Sequence, residues 1–176
     1  MCPMPLSRKV PRLPHENYLG RVICFLAICC DLRRPHLAAA AFASRVVAIL
    51  KKCAASTSFL LHAYCVMPDH VHILVEGNHS NADALQFVRI FKIRTAFEFR
   101  KARKLRLWEK SFHDHILRRA DALEAVACYI WWNPVRKQLC AVPAAFPYSG
   151  SNTIQWMQCS AKPPEWSAPW KPEEPI

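Results

Sequence analysis

The chain predicts an α+β fold: an antiparallel sheet of the ferredoxin-like, split βαβ kind, with helices on one face and an added C-terminal helix. Three observations carry this. The elements run strand, helix, strand, strand, helix, strand, and then one further helix. The strand segments are short and either apolar or alternating, whereas the stretches between them hold longer runs of helix formers. Finally, the two middle strands are separated only by Pro68-Asp69, turn chemistry that closes a tight antiparallel hairpin.

Taken in order, residues 1–17 hold four prolines and no periodicity, and read as a loose arm. Arg21 to Asp31 is a buried strand rich in Val, Ile and Phe. Pro35 suits the first turn of a helix reaching about Lys52. Ser58 to Met67 and His70 to Glu76 form the hairpin. Ser80-Asn81-Ala82-Asp83 resembles a capping box and opens a helix to about Lys104. Leu105 to Ile116 is a weaker strand. Asp121-Ala122-Leu123-Glu124 is a second capping signal, opening the helix that carries Tyr129. Pro134 disfavours α geometry at Asn133, so that helix should end or bend there. From Ser160 the tail holds five prolines with Trp166 and Trp170 and is expected to be disordered or loosely docked. This gives an arm (1–17), a catalytic domain (18–152) and a Pro/Trp tail (153–176). In the split layout the first and third strands are central. His70 and His72 would therefore lie on a rigid strand, on the face that the helices leave open.

At 176 residues the chain suits one domain with a full core. Lys and Arg outnumber Asp and Glu by 24 to 13, a net +11 with pI near 9.5, which implies a polyanionic partner, usually nucleic acid. The nine cysteines are odd in number and lack any Cys-x-x-Cys pair. Cys24, Cys29, Cys30, Cys65 and Cys128 sit in apolar segments and read as buried free thiols of a reducing compartment, which argues against a disulfide scaffold or a zinc finger. The apolar run from Val22 to Cys30 is far short of the roughly 20 residues a membrane span needs. A cytoplasmic, nucleoid-facing protein without membrane contact is expected. No Gly-rich phosphate loop is present, so no nucleotide hydrolysis is expected.

The chemistry concentrates in two segments. In Met67-Pro68-Asp69-His70-Val71-His72-Ile73-Leu74, alternation puts His70 and His72 on one face with Leu74 and Glu76, while Val71, Ile73 and Val75 face the core. Two imidazoles at i,i+2 have Cα atoms roughly 7 Å apart and can reach one metal. Glu76 is too far along the strand to share it and reads as solvated. In Tyr129-Ile130-Trp131-Trp132-Asn133-Pro134, a phenol and a carboxamide fall one helical turn apart, a nucleophile beside a neutral oxygen ligand. Imidazoles and an amide oxygen suit Mn²⁺ or Mg²⁺ with open water positions. Such a set is the minimum for metal-assisted phosphoryl transfer, and it points to DNA strand cleavage.

These residues also carry a resemblance. The segments "YCVMPDHVHILVE", "LQFVRIFKIRTAF", "LWEKSFHDHIL", "YIWWNPVRKQL" and "FPYSGS" resemble the single-tyrosine HUH transposases of the insertion-sequence kind, and among them the REP-associated tyrosine transposases, over roughly residues 18–152. The resemblance implies His70 and His72 as metal ligands, Asn133 as the third metal-side residue and Tyr129 as nucleophile. It also implies single-stranded, hairpin-containing DNA as substrate, a 5′-phosphotyrosine intermediate and a free 3′-OH that later rejoins. Lys137-Gln138 and Ser149-Gly150-Ser151 depart from the family's usual residues.

Other candidates are weaker. Arg89, Lys92, Arg100 and Arg103 form a basic stripe on the second helix, either a solvated face or a phosphate track, with Lys92 matching a family lysine. His113-Asp114-His115 repeats the H-x-H spacing and is expected to serve loop structure or DNA contact rather than metal. His62 reads as a satisfied sheet-face histidine. Trp108, Trp131 and Trp132 suit either base stacking or core. Two rivals stay open: a domesticated hairpin-binding protein with little cleavage, and a nickase of replication or mobilisation. So does the choice between monomer and homodimer.

Overall fold

The apolar run near the N-terminus forms β1 (Ile23–Cys29), and its alternation sorts the molecule into two layers. Cys24, Leu26 and Ile28 enter one hydrophobic cluster, Phe25 another. The computed structural model describes residues 12–118, 122–159, 166, 168 and 169. After β1 come α1 (Ala40–Ser56), β2 (Phe59–Val66), β3 (His70–Gly77), α2 (Ala84–Ala102) and β4 (His113–Ile116). These are followed by α3 (Leu123–Trp131), α4 (Asn133–Arg136), β5 (Ser149–Gly150) and α5 (Trp156–Cys159). The sheet order is β4-β1-β3-β2-β5, with each pairing antiparallel. This is the expected split βαβ sheet, with β1 and β3 central and a short strand added at the outer edge of β2.

On one face, Val46 and Leu50 of α1 and Phe87 and Phe91 of α2 pack with Leu26, Val71 and Ile73. On the other, Val126, Ile130 and Trp131 of α3 pack with Phe25, Ala63 and Leu74. Burying each such side chain contributes about 1.5–3 kcal/mol, so both faces are bound to their helices by hydrocarbon. Among the described residues no helix is long and apolar enough to cross a membrane.

Several boundaries differ from expectation, each for a local reason. Pro35 does not start α1. Leu32 and Arg33 adopt positive φ (55° and 54°), and the connection turns instead toward the hairpin. There Cys30 N–H donates to the Asp69 carbonyl (2.8 Å) and Leu37 N–H to that of Pro68 (2.9 Å). Asp83, not Ser80, caps α2: its carboxylate accepts from the amides of Leu85 and Gln86, and the helix ends at Ala102. The long weak strand contracts to four residues. Asp121 lies outside the described residues, and the residue preceding α3 is Ala122, which offers no side-chain cap.

Asn133 is helical in spite of Pro134. A proline lacks the N–H that would serve the carbonyl four residues back, here Ile130. Asn133 Nδ2 supplies that donor at 3.2 Å, and also donates to Tyr129 O at 3.0 Å. α3 and α4 are thus spliced by a side chain. The Ser149-Gly150 departure has its reason too. Gly150 pairs with Tyr64, and a Cβ at 150 would lie 2.5 Å from the Tyr64 hydroxyl.

Candidate active site

The pleat of β3 directs His70 and His72 to the α3 side of the sheet, and the residues are 9% and 3% exposed. The face expected to be open is therefore roofed. Their Nε2 atoms converge to 3.0 Å, with the rings at 82° to one another. His70 Nδ1 donates to Asp69 Oδ1 at 2.6 Å, which fixes the tautomer and turns Nε2 toward His72. Burial would raise the Asp69 carboxyl. The hydrogen bond and charge of His70, with Arg33 at 3.4 Å, outweigh it and hold Asp69 below the ordinary carboxylate range. The hairpin turn, itself pinned by Cys30 and Leu37, thus orients the first imidazole.

The nitrogen spacing is a test of metal fit. Two N–metal bonds of about 2.1 Å at right angles put the nitrogens about 3.0 Å apart, whereas a tetrahedral angle would need about 3.4 Å. The two nitrogens are close enough for one ion to reach both. Among the described residues no group of three or more His, Cys, Asp or Glu could hold a metal. A third protein donor would have to be of another type, and a carboxamide oxygen qualifies.

α3 sets Tyr129 above β1 and β3. Its ring lies 6.3 Å from that of His72, 6.0 Å from Phe25 and 5.1 Å from Trp166, all nearly edge-on. The residue is 2% exposed. Asn133 follows one turn on, its NH₂ turned to the helix end as described. Two further residues escaped the sequence. Arg136 stacks its guanidinium 4.1 Å over the Tyr129 ring and donates to the Tyr129 carbonyl at 3.1 Å, which places positive charge beside the phenol. It lies seven positions after Tyr129, two helical turns, and that spacing was the available signal. Trp166 belongs to the tail and rests on Phe25, His115 and Tyr129.

The basic stripe does not reach this site as a unit. α2 lies on the opposite face of the sheet. Lys92 Nζ donates to the carbonyls of Glu109, Lys110 and Ser111 at 2.7, 3.2 and 3.5 Å, and burial pushes its ammonium below the ordinary lysine range. Arg89, Arg100 and Arg103 are exposed, Arg103 just beyond the helix end. His113 and His115 stand on β4, a strand and not a loop, while Asp114 between them accepts from Arg12 and the Tyr18 hydroxyl. His62 is satisfied as expected, by Thr153 at 2.7 Å and Glu76 at 2.8 Å, so Glu76 is a hydrogen-bond partner and not merely solvated. Trp108 and Trp131 are core residues whose indole N–H groups donate to Thr95 and Gly150. Among the described residues seven cysteines, the five named above among them, form no disulfide.

A family model described as "Transposase IS200 like" matches residues 21–132. A Haemophilus influenzae protein named as a candidate REP-associated tyrosine transposase is 31% identical over 100 residues, 49% of this chain and 56% of that protein. The match thus spans little more than half of that relative's length. A solved structure of a REP-associated tyrosine transposase bound to a REP hairpin matches with a TM-score of 0.69 at 17% identity, covering 94% of both chains. At that identity the likeness establishes the fold.

Proposed function

The chain belongs to the IS200-like transposase family, and from that premise we propose that it cleaves and rejoins hairpin-containing single-stranded DNA, in the manner of a REP-associated tyrosine transposase. The observation that carries this is the pair of imidazole nitrogens 3.0 Å apart with a tyrosine ring 6.3 Å from the second. His70 and His72, with the Asn133 oxygen, would hold Mg²⁺ or Mn²⁺. When bound, that ion polarises the scissile phosphate and favours the phenolate.

The chain's own residues do the rest. The Tyr129 oxygen attacks phosphorus and the P–O3′ bond breaks. The phenol gives up its proton to solvent and the 3′ oxygen takes one up and leaves as a free hydroxyl, so protons balance, while the 5′ phosphate stays on Tyr129. The phosphodiester energy is kept, so rejoining needs only attack by a 3′-OH in the reverse sense. Arg136 holds its charge against the phenol as negative charge grows on the oxygen. Asp69 keeps His70 in its ligand orientation. Arg89 and Arg103, behind the sheet, would meet phosphates of the flanking DNA and not the scissile one. Arg100 faces a groove between α1 and α2.

The deciding experiment is cleavage of a hairpin oligonucleotide panel with Mn²⁺ by wild type and Tyr129→Phe, with covalent adducts resolved on denaturing gels and mapped to a peptide. Wild type should form an adduct on Tyr129. The Phe variant should bind hairpins normally and lose cleavage by orders of magnitude, since water is poorly placed to substitute. A DNA remnant on Tyr64 or Tyr148, or an adduct formed by the Phe variant, would overturn the mechanism. Tight hairpin binding by a wild type that never cleaves would favour the domesticated rival.

A further inference from the structure

A groove of about 420 Å³ runs between α1 and α2, on the side of the sheet away from His70 and Tyr129. Its floor is Ile49, Ile93 and Phe97, the last two 57% exposed. Its rim is cationic, from Arg45 and Lys52 on α1 and Arg94 and Arg100 on α2. Exposed apolar side chains clustered within a polar rim are a mark of interaction sites. None of these residues takes part in the chemistry proposed above.

We propose that this groove docks an acidic protein segment carrying apolar anchors, such as one face of an amphipathic helix. Two antiparallel helices with an apolar cleft between them offer the geometry that a helix-in-groove partner uses, with anchors one turn apart. Charge complementarity sets the partner's sign. Glu98 is the one acid in the lining, and its carboxylate is already engaged by Lys101 at 2.7 Å and Arg45 at 3.4 Å. The rim therefore presents net positive charge to carboxylates of the incoming segment.

Nucleic acid fits this surface less well. Single strands bind by stacking bases on aromatic faces within a basic groove. Two of the three floor residues are aliphatic, and Lys101 Nζ already sits 4.7 Å from the Phe97 ring centroid. Ile49 and Ile93 give a protein side chain something to bury and give a base nothing to stack upon.

The test uses the full chain and a short fluorescein-labelled peptide rich in Asp and Glu, with Leu and Phe one helical turn apart. A second peptide of equal charge carries Ser in place of Leu and Phe, and labelled oligo(dT) represents nucleic acid. The first peptide should raise anisotropy saturably, and the Ser version should bind at least about tenfold more weakly. Phe97→Ser and Ile93→Ser alter exposed positions and should each weaken the first peptide about tenfold, and Arg94→Glu at least as much. His70→Ala should leave peptide binding intact, so this result stands apart from that of the cleavage assay. Equal binding of both peptides, or no effect of Phe97→Ser and Ile93→Ser, would overturn the proposal. Loss of oligo(dT) binding in those two variants, with the peptide unaffected, would overturn it in favour of a nucleic-acid surface.

Discussion

Two segments of this chain share the His-x-His spacing, and the fold treats them differently. His70-Val71-His72 lies on β3, flanked by β1 and β2, and its nitrogens meet at 3.0 Å. His113-Asp114-His115 lies on β4, the sheet's edge, with His113 exposed and His115 half-buried. The register puts His72 and His113 on opposite sides of Ala27, on the same face. What separates them is the residue beside each pair. Asp69 precedes the first pair in a pinned turn and orients a ring. Asp114 sits inside the second and turns to the other face, where it accepts from Tyr18 and Arg12. Spacing supplies the possibility of a ligand pair, and in the first segment the adjoining carboxylate orients one of its rings.

The comparison breaks first on chemistry. His70→Ala or His72→Ala should lower hairpin cleavage by orders of magnitude while hairpin binding survives, because phosphate contacts dominate affinity. His113→Ala and His115→Ala should leave cleavage within a few-fold of wild type. Single-turnover rates in Mn²⁺ measure both. Equal losses from the two pairs would mean that the edge strand belongs to the reaction centre.

A middle-sized effect separates the two carboxylates. Asp69→Ala should weaken Mn²⁺ binding by about 10–100-fold, the usual cost of removing a group that orients a ligating imidazole. Asp114→Ala should leave Mn²⁺ binding alone and instead cost about 1–3 kcal/mol of stability, since it leaves the Tyr18 hydroxyl without its acceptor. Calorimetric titration with Mn²⁺ and urea unfolding, run on both variants, would expose an exchange of these roles.

A pH-dependent effect, absent near neutrality, lies in the strand between them. Cys24 of β1 pairs with Val75 of β3 and Ile116 of β4, and its thiol is pushed up to about 12 by burial, with Asp114 adding to the rise. Burial does the same for Cys65, also to about 12. A thiol whose folded pKa is raised contributes stability that is fully present below its unfolded value, about 8.5, and is lost as pH climbs toward the folded one. The urea midpoint should hold up to about pH 8.5 and then fall steadily between about pH 9 and pH 12. A midpoint flat across that window would show that these thiols ionise freely in the folded state.

Much of this was legible because strand periodicity is strict. Alternation around Val71, Ile73 and Val75 assigned the histidines to one face, and strand order followed from the connections. What stayed hidden depends on distant partners. Lys92 has the charge and helical phase of a phosphate ligand, and nothing in the sequence shows that the carbonyls of residues 109–111 will take its ammonium. The late start of α1 comes from a turn that hydrogen-bonds the hairpin, a contact across some thirty positions of chain. Arg136 was visible as a cation two turns past Tyr129, but its stacking depends on the helix surviving Pro134. The restriction that Pro134 places on Asn133 pointed to an end or bend, and α3 does end at Trp131, but the short α4 that follows, tied back by the Asn133 carboxamide, was not foreseen.

That carboxamide gives the helix end a redundant hold. The Ile130 carbonyl accepts both a backbone N–H at the end of α3 and the Asn133 carboxamide, so this helix end keeps a donor despite the missing N–H of Pro134. Asn133 and Arg136 also converge on the Tyr129 carbonyl, at 3.0 and 3.1 Å, so the turn that carries the phenol is tied down by two side chains from beyond the proline.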